Sequence, residues 1–251
     1  MAWFIDLAVV SLISVLPPVA YLLWLRSADR YEPDDLDDVL KALLSGATIG
    51  VFGGGALTLV LLLPFSILYM SETASILLTS ILLAPIAEEL VKAACVMLFK
   101  KKLNRLESGI VYGAAVGLGF AIVENVLYGF TTASEGLLMA VFLVCVRSVT
   151  AAFAHGSFTA VTGYGIARWY REGTGERTWL RYYALAVVLH AFFNAVASLG
   201  EMMEMSLFLD VASMVVLAAM VIATFVLLRM RVSQLDKGVM ELKNITGTDR
   251  P

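Results

Sequence analysis

Seven ionisable or imidazole side chains lie inside stretches of the sequence that are otherwise apolar and long enough to cross a membrane. They are Glu88, Glu89, Lys92, Glu124, Arg147, His155 and His190. A charged side chain at bilayer depth costs about 3 kcal/mol even on a lenient insertion scale, so such residues face the interior of a helical bundle and mark a function. Helix packing alone does not need so many. The sequence therefore predicts a polar reaction centre inside a lipid-embedded bundle.

Two adjacent carboxylates and a lysine lie together in Glu88-Glu89-Leu-Val-Lys92. On a helix, Lys92 neighbours both Glu88, four residues away, and Glu89, three residues away. One carboxylate paired with the ammonium has a structural role, and the unpaired one becomes a candidate general base. The spacing leaves open which of the two is the base. Pro85 removes a backbone hydrogen bond and frees a carbonyl just before the pair.

Three later stretches carry further polar groups at helical spacing. They are Glu124 with Asn125, Arg147 and His155 two turns apart, and His190 with Asn194 one turn apart. At 1.5 Å per residue, the acidic and imidazole groups lie about 12–22 Å from the same end of their stretches, which agrees within the uncertainty of the stretch ends. We therefore expect these side chains to converge on one cavity.

The composition excludes a soluble protein. The 251 residues are 60% hydrophobic and 16% charged, with a mean hydropathy of +0.85, whereas about a quarter of the residues in soluble domains are charged. No basic patch interleaved with aromatic residues suggests nucleic acid as a partner. Seven stretches are long enough to cross the roughly 30 Å hydrocarbon core as helices: 3–25, 43–69, 74–99, 109–130, 137–167, 182–200 and 207–229.

These stretches predict an all-α, polytopic membrane bundle of about seven helices, in a single integral-membrane domain over residues 1–251. There is room for an eighth, re-entrant segment, but none is required. Sixteen of the 18 Lys and Arg residues follow the first, third, fifth and seventh stretches, whereas loops 70–73, 131–136 and 201–206 contain none. By the positive-inside rule, the N-terminus lies outside the cell membrane and the C-terminus lies in the cytoplasm.

Four motifs, in order along the chain, resemble the PrsW family of membrane proteases within the wider superfamily of type II CAAX-protease-like membrane proteins. The matching residues are Glu88-Glu89-Leu-Val-Lys92 for an EExxK pattern, Phe120 to Glu124 with Asn125 for FxxxE, His155 with Gly163, and His190 with Asn194. CAAX-type relatives have EExxxR and a histidine in the second motif, so Lys92 and Glu124 favour the PrsW branch. The resemblance covers about residues 80–200.

The resemblance implies a CAAX-protease-like catalytic core at about residues 74–200. It also implies cleavage of a single-span, membrane-anchored protein, such as an anti-sigma factor, within or near the lipid bilayer. The candidate catalytic residues are Glu88, Glu89, Glu124, His155, His190 and Asn194, and the supporting residues are Lys92, Asn125 and Arg147.

Our mechanistic hypothesis is metal-free hydrolysis of a peptide bond. A glutamate of the 88–89 pair activates water, and Glu124 or His155 shares the proton. His190 and Asn194 donate hydrogen bonds to the oxyanion of the tetrahedral intermediate. Lys92 and Arg147 hold the carboxylates and set which of them ionises.

A zinc site is the alternative, because two imidazoles, a carboxylate and a water form an accepted catalytic set. Its ligands would be His155, His190 and Glu89. The chain has no HExxH motif, and the Lys92 ammonium repels a dication, so no cofactor is favoured.

The polar residues also allow other functions, namely a serine-dependent hydrolase, a transporter or a scaffold. Ser148 and Ser157 lack a distinguishing partner for a Ser/His or Ser/Lys dyad. A proton-coupled or ion-coupled transporter also places ionisable groups at the bilayer midplane, but transporters often contain internal repeats, and the Glu88-Glu89 pair has no counterpart in the later stretches. A non-catalytic membrane scaffold is the remaining alternative.

Overall fold

The computed structural model describes residues 2–199 and 207–246, and every regular element within these ranges is a helix. The α-helices are α1 (Ala2–Arg26), α2 (Leu36–Ser45), α3 (Val51–Leu62), α4 (Glu72–Ile76), α5 (Ala84–Leu98), α6 (Leu106–Ala133), α7 (Leu137–Val149), α8 (Ala151–Glu172), α9 (Arg177–Ala197) and α10 (Leu207–Thr246). Two π-helical segments, Gly46–Gly50 and Leu77–Leu83, continue directly into α3 and α5, and short 3₁₀ turns cover Leu63–Phe65 and Lys100–Lys102. The loop expected at 201–206 lies outside the described residues.

Six helical stretches are long and apolar enough to cross a membrane. They are Leu7–Arg26, Leu36–Phe65, Leu106–Ala133, Leu137–Glu172, Arg177–Ala197 and Val211–Glu241. The helical bundle expected from the sequence is therefore confirmed for the described part of the chain. The expected span at 74–99 consists of α4, the second π-helical segment and α5, and it is not one of these six. The number of spans and the CAAX-like core stay predictions.

Helix α6 is the centre of the bundle. Its most apolar window is 78% buried inside the protein, whereas no other spanning stretch exceeds 39%. Three glycines at four-residue spacing, Gly109, Gly113 and Gly117, lie against the backbone of α8. A Cβ atom at Gly117 would overlap the carbonyl oxygen of His155. The absence of side chains on this face therefore lets α8 approach α6 closely, as in other small-xxx-small helix contacts.

Helix α5 packs against α3, α8 and α9 and carries the two adjacent glutamates into the bundle. On the α3 side, Gly54 lies close to Glu88. A Cβ atom added to Gly54 would be 3.2 Å from Glu88 Cγ. On the α9 side, the Tyr183 hydroxyl donates a 3.0 Å hydrogen bond to the carbonyl of Ile86. The neighbouring helices therefore pack closely against α5 on both sides, next to Glu88.

A second polar cluster lies at one end of the bundle, where the α1–α2 loop, the start of α6 and α10 meet. This Arg105 cluster comprises Asp29, Asp34, Arg105, Glu107 and Asp236. The Arg105 guanidinium donates to both oxygens of Asp29 at 3.0 Å and to Glu107 Oε1 at 2.9 Å. Asp236 accepts a 2.9 Å hydrogen bond from the backbone N–H of Tyr31. The cluster therefore ties α10 to the loop that follows α1.

Candidate functional site

The ammonium of Lys92 is the central cation of the intramembrane site. The side chain is fully buried, and its Nζ lies 2.9 Å from Glu89 Oε1 and 3.0 Å from His155 Nδ1. The nearer oxygen of Glu88 is 3.6 Å away, beyond hydrogen-bonding distance. Nζ also lies 3.8 Å from the centroid of the Phe120 ring, which gives the charge a cation–π contact. Lys92 therefore connects α5 with α8 and with the FxxxE motif of α6.

Glu89 is the carboxylate that pairs with Lys92. It is fully buried, and its Oε1 accepts from Lys92 and interacts with His190 Nδ1 at 3.0 Å. Its Oε2 accepts a 3.3 Å hydrogen bond from the Thr159 hydroxyl. Both oxygens of Glu89 therefore already have partners, and Glu89 forms a buried ion pair with Lys92. The sequence left open which glutamate pairs with Lys92, and Glu89 is the closer of the two, whereas the choice of the base stays a prediction.

Glu88, unlike Glu89, has a side-chain oxygen without a hydrogen-bond partner among the described residues. Its side chain is 15% exposed, and in the described part of the chain its Oε2 has no hydrogen-bond partner. His190 Nε2 lies 3.8 Å from this oxygen. Because Glu89 fixes the other ring nitrogen, Nδ1, as the N–H donor, we assign the lone pair of a neutral His190 to Nε2. Two acceptors therefore face each other at Glu88 and His190.

His155 and Glu124 extend the network toward α6 and α7. His155 Nε2 lies 2.9 Å from Glu124 Oε2, and the Arg147 guanidinium donates to the same oxygen at 2.6 Å. Arg147 also donates to Asn125 Oδ1 at 3.0 Å and lies 3.7 Å above the Tyr128 ring. With Lys92 donating to Nδ1, the proton of His155 is on Nε2 and points to Glu124.

The structure thus brings all seven ionisable residues into one network. The contacts run from Arg147 through Glu124, His155, Lys92 and Glu89 to His190, and Glu88 lies beside the last three. Asn194 is placed differently from its expected position, because its amide donates a 2.7 Å hydrogen bond to the backbone carbonyl of Ser80. The oxyanion role expected for Asn194 stays a prediction.

The two serines considered from the sequence have no base beside them in the described residues. The Ser148 hydroxyl donates to the Ile13 carbonyl at 3.2 Å, and the buried Ser157 hydroxyl has no hydrogen-bond partner. The sequence places Thr159 on the same helical stripe as His155 but gives its hydroxyl no role, and sequence reasoning missed the Tyr183 hydroxyl altogether. Both lie at helical spacing from a histidine: Thr159 follows His155 by four residues, and Tyr183 precedes His190 by seven, on the same face of its helix.

Three of these side chains offer a set of metal ligands. Glu88, His155 and His190 each present one ligand atom, and these atoms lie within 4.8 Å of one another. The carboxylate of the set is thus Glu88, not the Glu89 expected from the sequence, because Glu89 is occupied by Lys92 and His190. Two imidazoles and a carboxylate fit zinc in type and number. Glu88 and His190 present free lone pairs, whereas Nδ1 of His155 is taken by the Lys92 ammonium.

These features define the chain as a polytopic membrane protein with a buried acid–base site of carboxylates and imidazoles. Residues 36–227 match the family model described as PrsW family intramembrane metalloprotease. The chain belongs to this family and is therefore a multi-pass membrane protease.

Individual relatives agree with this assignment. Protease PrsW of Clostridioides difficile (strain 630) is 29% identical over 196 residues, which are 77% of this chain and 79% of the relative. Protease PrsW of Geobacillus kaustophilus (strain HTA426) is 30% identical over 188 residues, which are 73% of this chain and 76% of the relative. No solved structure gives a significant match to the chain.

Proposed function

We propose that the chain is an endopeptidase that cleaves a single-span, membrane-anchored protein within or near the bilayer, with Glu88 as the residue that activates water. The supporting observation is the 3.8 Å separation of Glu88 Oε2 from His190 Nε2. Both atoms are acceptors, so they repel unless a proton donor or a cation lies between them. A water molecule supplies two O–H groups, one for each acceptor, and its lone pair is then free to attack a carbonyl carbon.

The proton balance follows from this arrangement. As the water oxygen bonds to the scissile carbonyl carbon, Glu88 takes one proton, and it later gives that proton to the leaving amide nitrogen as the C–N bond breaks. Negative charge that develops on the carbonyl oxygen is stabilised by the nearby Lys92 ammonium. In the tautomer fixed by Glu89, His190 Nε2 accepts rather than donates, so His190 orients the water and is not a donor to the oxyanion.

Glu124 and Arg147 act on the site through His155 and Lys92. Glu124, paired with Arg147, accepts the Nε2 proton of His155, and this leaves Nδ1 of His155 to accept from Lys92. The Lys92 side chain is thus held between Glu89 and His155. Such buried networks are stable only when each member has its partners, which matches the contacts of Glu89, Lys92 and His155.

The family description implies a metal ion, for which Glu88, His155 and His190 are the ligand candidates. A zinc ion held there would lower the pKa of a bound water and polarise the scissile carbonyl. Both ring nitrogens of His155 already have partners, Lys92 at Nδ1 and Glu124 at Nε2, and the Lys92 ammonium brings a positive charge to within 3.6 Å of Glu88. We therefore propose that Lys92 supplies the positive charge of the site and that hydrolysis does not require a metal ion.

The substrate and the orientation are part of the same proposal. With the N-terminus outside the cell membrane, the basic loops face the cytoplasm. An anti-sigma-factor-like protein with one transmembrane helix presents its backbone at the depth of Glu88 once that helix unwinds locally. Glu88 and Glu124, with 15% and 22% of their side chains exposed, are the site carboxylates that such a segment reaches.

The test uses the purified full-length protein with a panel of single-span substrates. Glu88→Gln keeps the shape of the side chain but removes the base, and we expect turnover to fall about 10²–10⁴-fold, the usual contribution of a general base. Glu135→Gln, at an exposed position in the α6–α7 turn, is the matched control and should keep full turnover. Cleavage of the panel by Glu88→Gln at the wild-type rate would exclude Glu88 as the base.

Metal dependence is tested on the same preparation. Turnover should survive chelation by 1,10-phenanthroline, and metal analysis should find far less than one zinc per chain. One bound zinc per chain, together with loss of turnover on chelation and recovery on adding zinc back, would instead assign Glu88, His155 and His190 to the metal.

A further inference from the structure

The backbone carbonyl of Ser80 lacks its usual partner within the helix. In the π-helical segment Leu77–Leu83, each carbonyl bonds to the N–H five residues later, and accordingly the Ala84 N–H bonds to Thr79. By this pattern the Ser80 carbonyl should accept from residue 85. Residue 85 is proline, which has no N–H. The donor that would continue the π-helical pattern is therefore missing at Ser80.

The amide of Asn194 supplies the missing donor, at 2.7 Å from the Ser80 carbonyl oxygen. The contact is partly buried, and a carbonyl that lacks both water and a protein donor is costly, so this hydrogen bond stabilises the wide turn. Tyr183 and His190 lie on the same face of α9 as Asn194. They bind the Ile86 carbonyl and Glu89 Oε1 at 3.0 Å each. One face of α9 thus holds residues 80–89 at three points.

The wide turn sets the direction in which the glutamates point. A single extra residue in one helical turn rotates everything that follows by about 100° relative to what precedes it. Ser80 lies eight residues before Glu88, and the π-helical segment ends five residues before it. If the Ser80 carbonyl regained an α-helical partner, the segment before Pro85 would rewind, and Glu88 would shift relative to His190.

We propose that Asn194 is a positioning residue that holds the π-helical turn before Pro85 and thereby places Glu88 opposite His190. This role rests on the proposed function of Glu88, but the backbone arrangement it describes exists independently of catalysis. Asn194 acts through the backbone of α5, and its partner is a carbonyl that Pro85 leaves without a donor. The roles of Asn194 and Pro85 are therefore coupled.

The test is a double-variant cycle at positions 85 and 194. Asn194→Ala alone should lower kcat about 100-fold with KM unchanged, because a misplacement of about 1 Å has an effect of this size. Pro85→Ala restores an N–H at residue 85, which can bond to the Ser80 carbonyl and retain the turn. In the Pro85→Ala background, Asn194→Ala should therefore have little further effect. An equal loss of kcat in both backgrounds would overturn the proposal and favour donation by Asn194 to the oxyanion.

Hydrogen–deuterium exchange of the peptide 80–92 gives a readout that does not depend on turnover. Exchange should be faster in Asn194→Ala than in the wild-type protein, and the Pro85→Ala background should abolish this difference. Unchanged exchange in Asn194→Ala would overturn the proposal, whether or not Pro85→Ala is active. Thr224→Val is the matched control, because it removes a 2.9 Å side-chain hydrogen bond to a helix carbonyl, that of Met220, in α10.

Loss of the proposed function is distinguishable from loss of this inference. If the wild-type protein cleaves no substrate of the panel, the protease mechanism fails, and the exchange experiment still decides whether Asn194 holds the turn. If turnover is normal and exchange does not respond to position 194, the positioning role fails alone.

Discussion

Glu88 and Glu89 are adjacent in the chain, yet their surroundings differ in kind. Glu89 accepts from Lys92, His190 and Thr159 and is fully buried, whereas Glu88 has no hydrogen-bond partner for its buried oxygen in the described structure. The difference arises because successive residues on a helix point about 100° apart. Glu89 faces α8 and α9, and Glu88 lies beside α3. One residue along the helix therefore separates a structural anion from a candidate base.

This difference predicts opposite behaviour of two glutamine variants. Glu89→Gln should lower the free energy of unfolding by about 3–5 kcal/mol, because it strands the buried Lys92 ammonium without its closest anion. Glu88→Gln should unfold near the wild-type temperature while losing turnover. Thermal unfolding of the detergent-solubilised variants, followed with a thiol-reactive dye, measures both.

The double variant Glu89→Gln, Lys92→Met provides the control for the ion pair. Removal of both charges should restore part of the stability lost in Glu89→Gln, since the Lys92 ammonium is then no longer left in the interior without its closest anion. A Glu89→Gln protein as stable as the wild type would contradict the pairing of Glu89 with Lys92.

At this scale, the sequence predicted which residues meet but not how they pair. Ionisable residues in apolar segments must find one another, and Arg147 does hold Glu124 at 2.6 Å. Spacing alone could not separate Glu88 from Glu89 as the partner of Lys92, because both are within reach on a helix. The position of Asn194 was also beyond prediction, because its partner is a main-chain oxygen in another helix.

Among the elements, the contact between α6 and α8 has little tolerance for added volume. Gly109, Gly113 and Gly117 face the backbone of α8, and Gly117 lies directly against His155. Interiors packed at this density transmit a small displacement to their neighbours. The position of the His155 ring, which contacts both Lys92 and Glu124, therefore depends on the absence of a side chain at Gly117.

Gly117→Ala should lower both stability and turnover. Its methyl group would overlap the His155 carbonyl oxygen and force α8 outward, and overpacking of this kind costs about 1–3 kcal/mol. Gly55→Ala in α3 is the matched control, because no atom lies within 4 Å of its added Cβ. The unfolding temperature and the turnover rate are measured for both variants, and only Gly117→Ala should show a decrease. Equal values for both variants would mean that α6 and α8 are not in close contact.

The glycine spacing in α6 was visible in the sequence, whereas the π-helical segments were not. Apolar residues at 77–83 fit an ordinary α-helix as well as a wider one, and Pro85 only showed that a hydrogen bond would be missing. The wider turn depends on a donor from α9, which no local pattern reveals. The same limitation applies to the number of spans, because 74–99 is apolar in sequence but irregular in hydrogen bonding.

For the whole molecule, the distribution of basic residues predicts a single orientation in the membrane. Lys101→Cys and Glu135→Cys, both at exposed positions, should react with a membrane-impermeant thiol reagent from opposite faces, Lys101→Cys from the cytoplasm. Each is introduced in a protein whose native Cys95 and Cys145 are replaced. Reaction of both from the same face would rule out the proposed topology.

The Arg105 cluster predicts that stability decreases as pH rises. Burial, assisted by the charges of Asp29 and Glu107, raises the pKa of Asp34 from 3.8 to about 7, although Ser108 and Arg105 oppose the rise. Between these values the folded protein binds a proton at Asp34 that the unfolded chain does not. The stability from Asp34 is thus fully present below about pH 4 and is lost as pH rises through about 7.

Unfolding temperatures between pH 5 and pH 8 test this prediction. The wild-type temperature should fall by several degrees over the interval, since one pKa unit corresponds to about 1.4 kcal/mol. Asp34→Asn, which cannot ionise, should show a flatter profile. An identical slope in wild type and variant would place the pH dependence elsewhere.

The spacing of the site residues along the chain has a consequence for biosynthesis. Glu89 and His190 are 101 residues apart, so at 5–20 residues per second about 5–20 s pass between their syntheses. Lys92 is only three residues from Glu89 and pairs with it inside one helix. Helix α5 thus contains both partners of this ion pair and does not depend on a later helix for it. The complete network exists only once α9 has been made, so under the proposed mechanism we expect a chain still being translated not to cleave its neighbours.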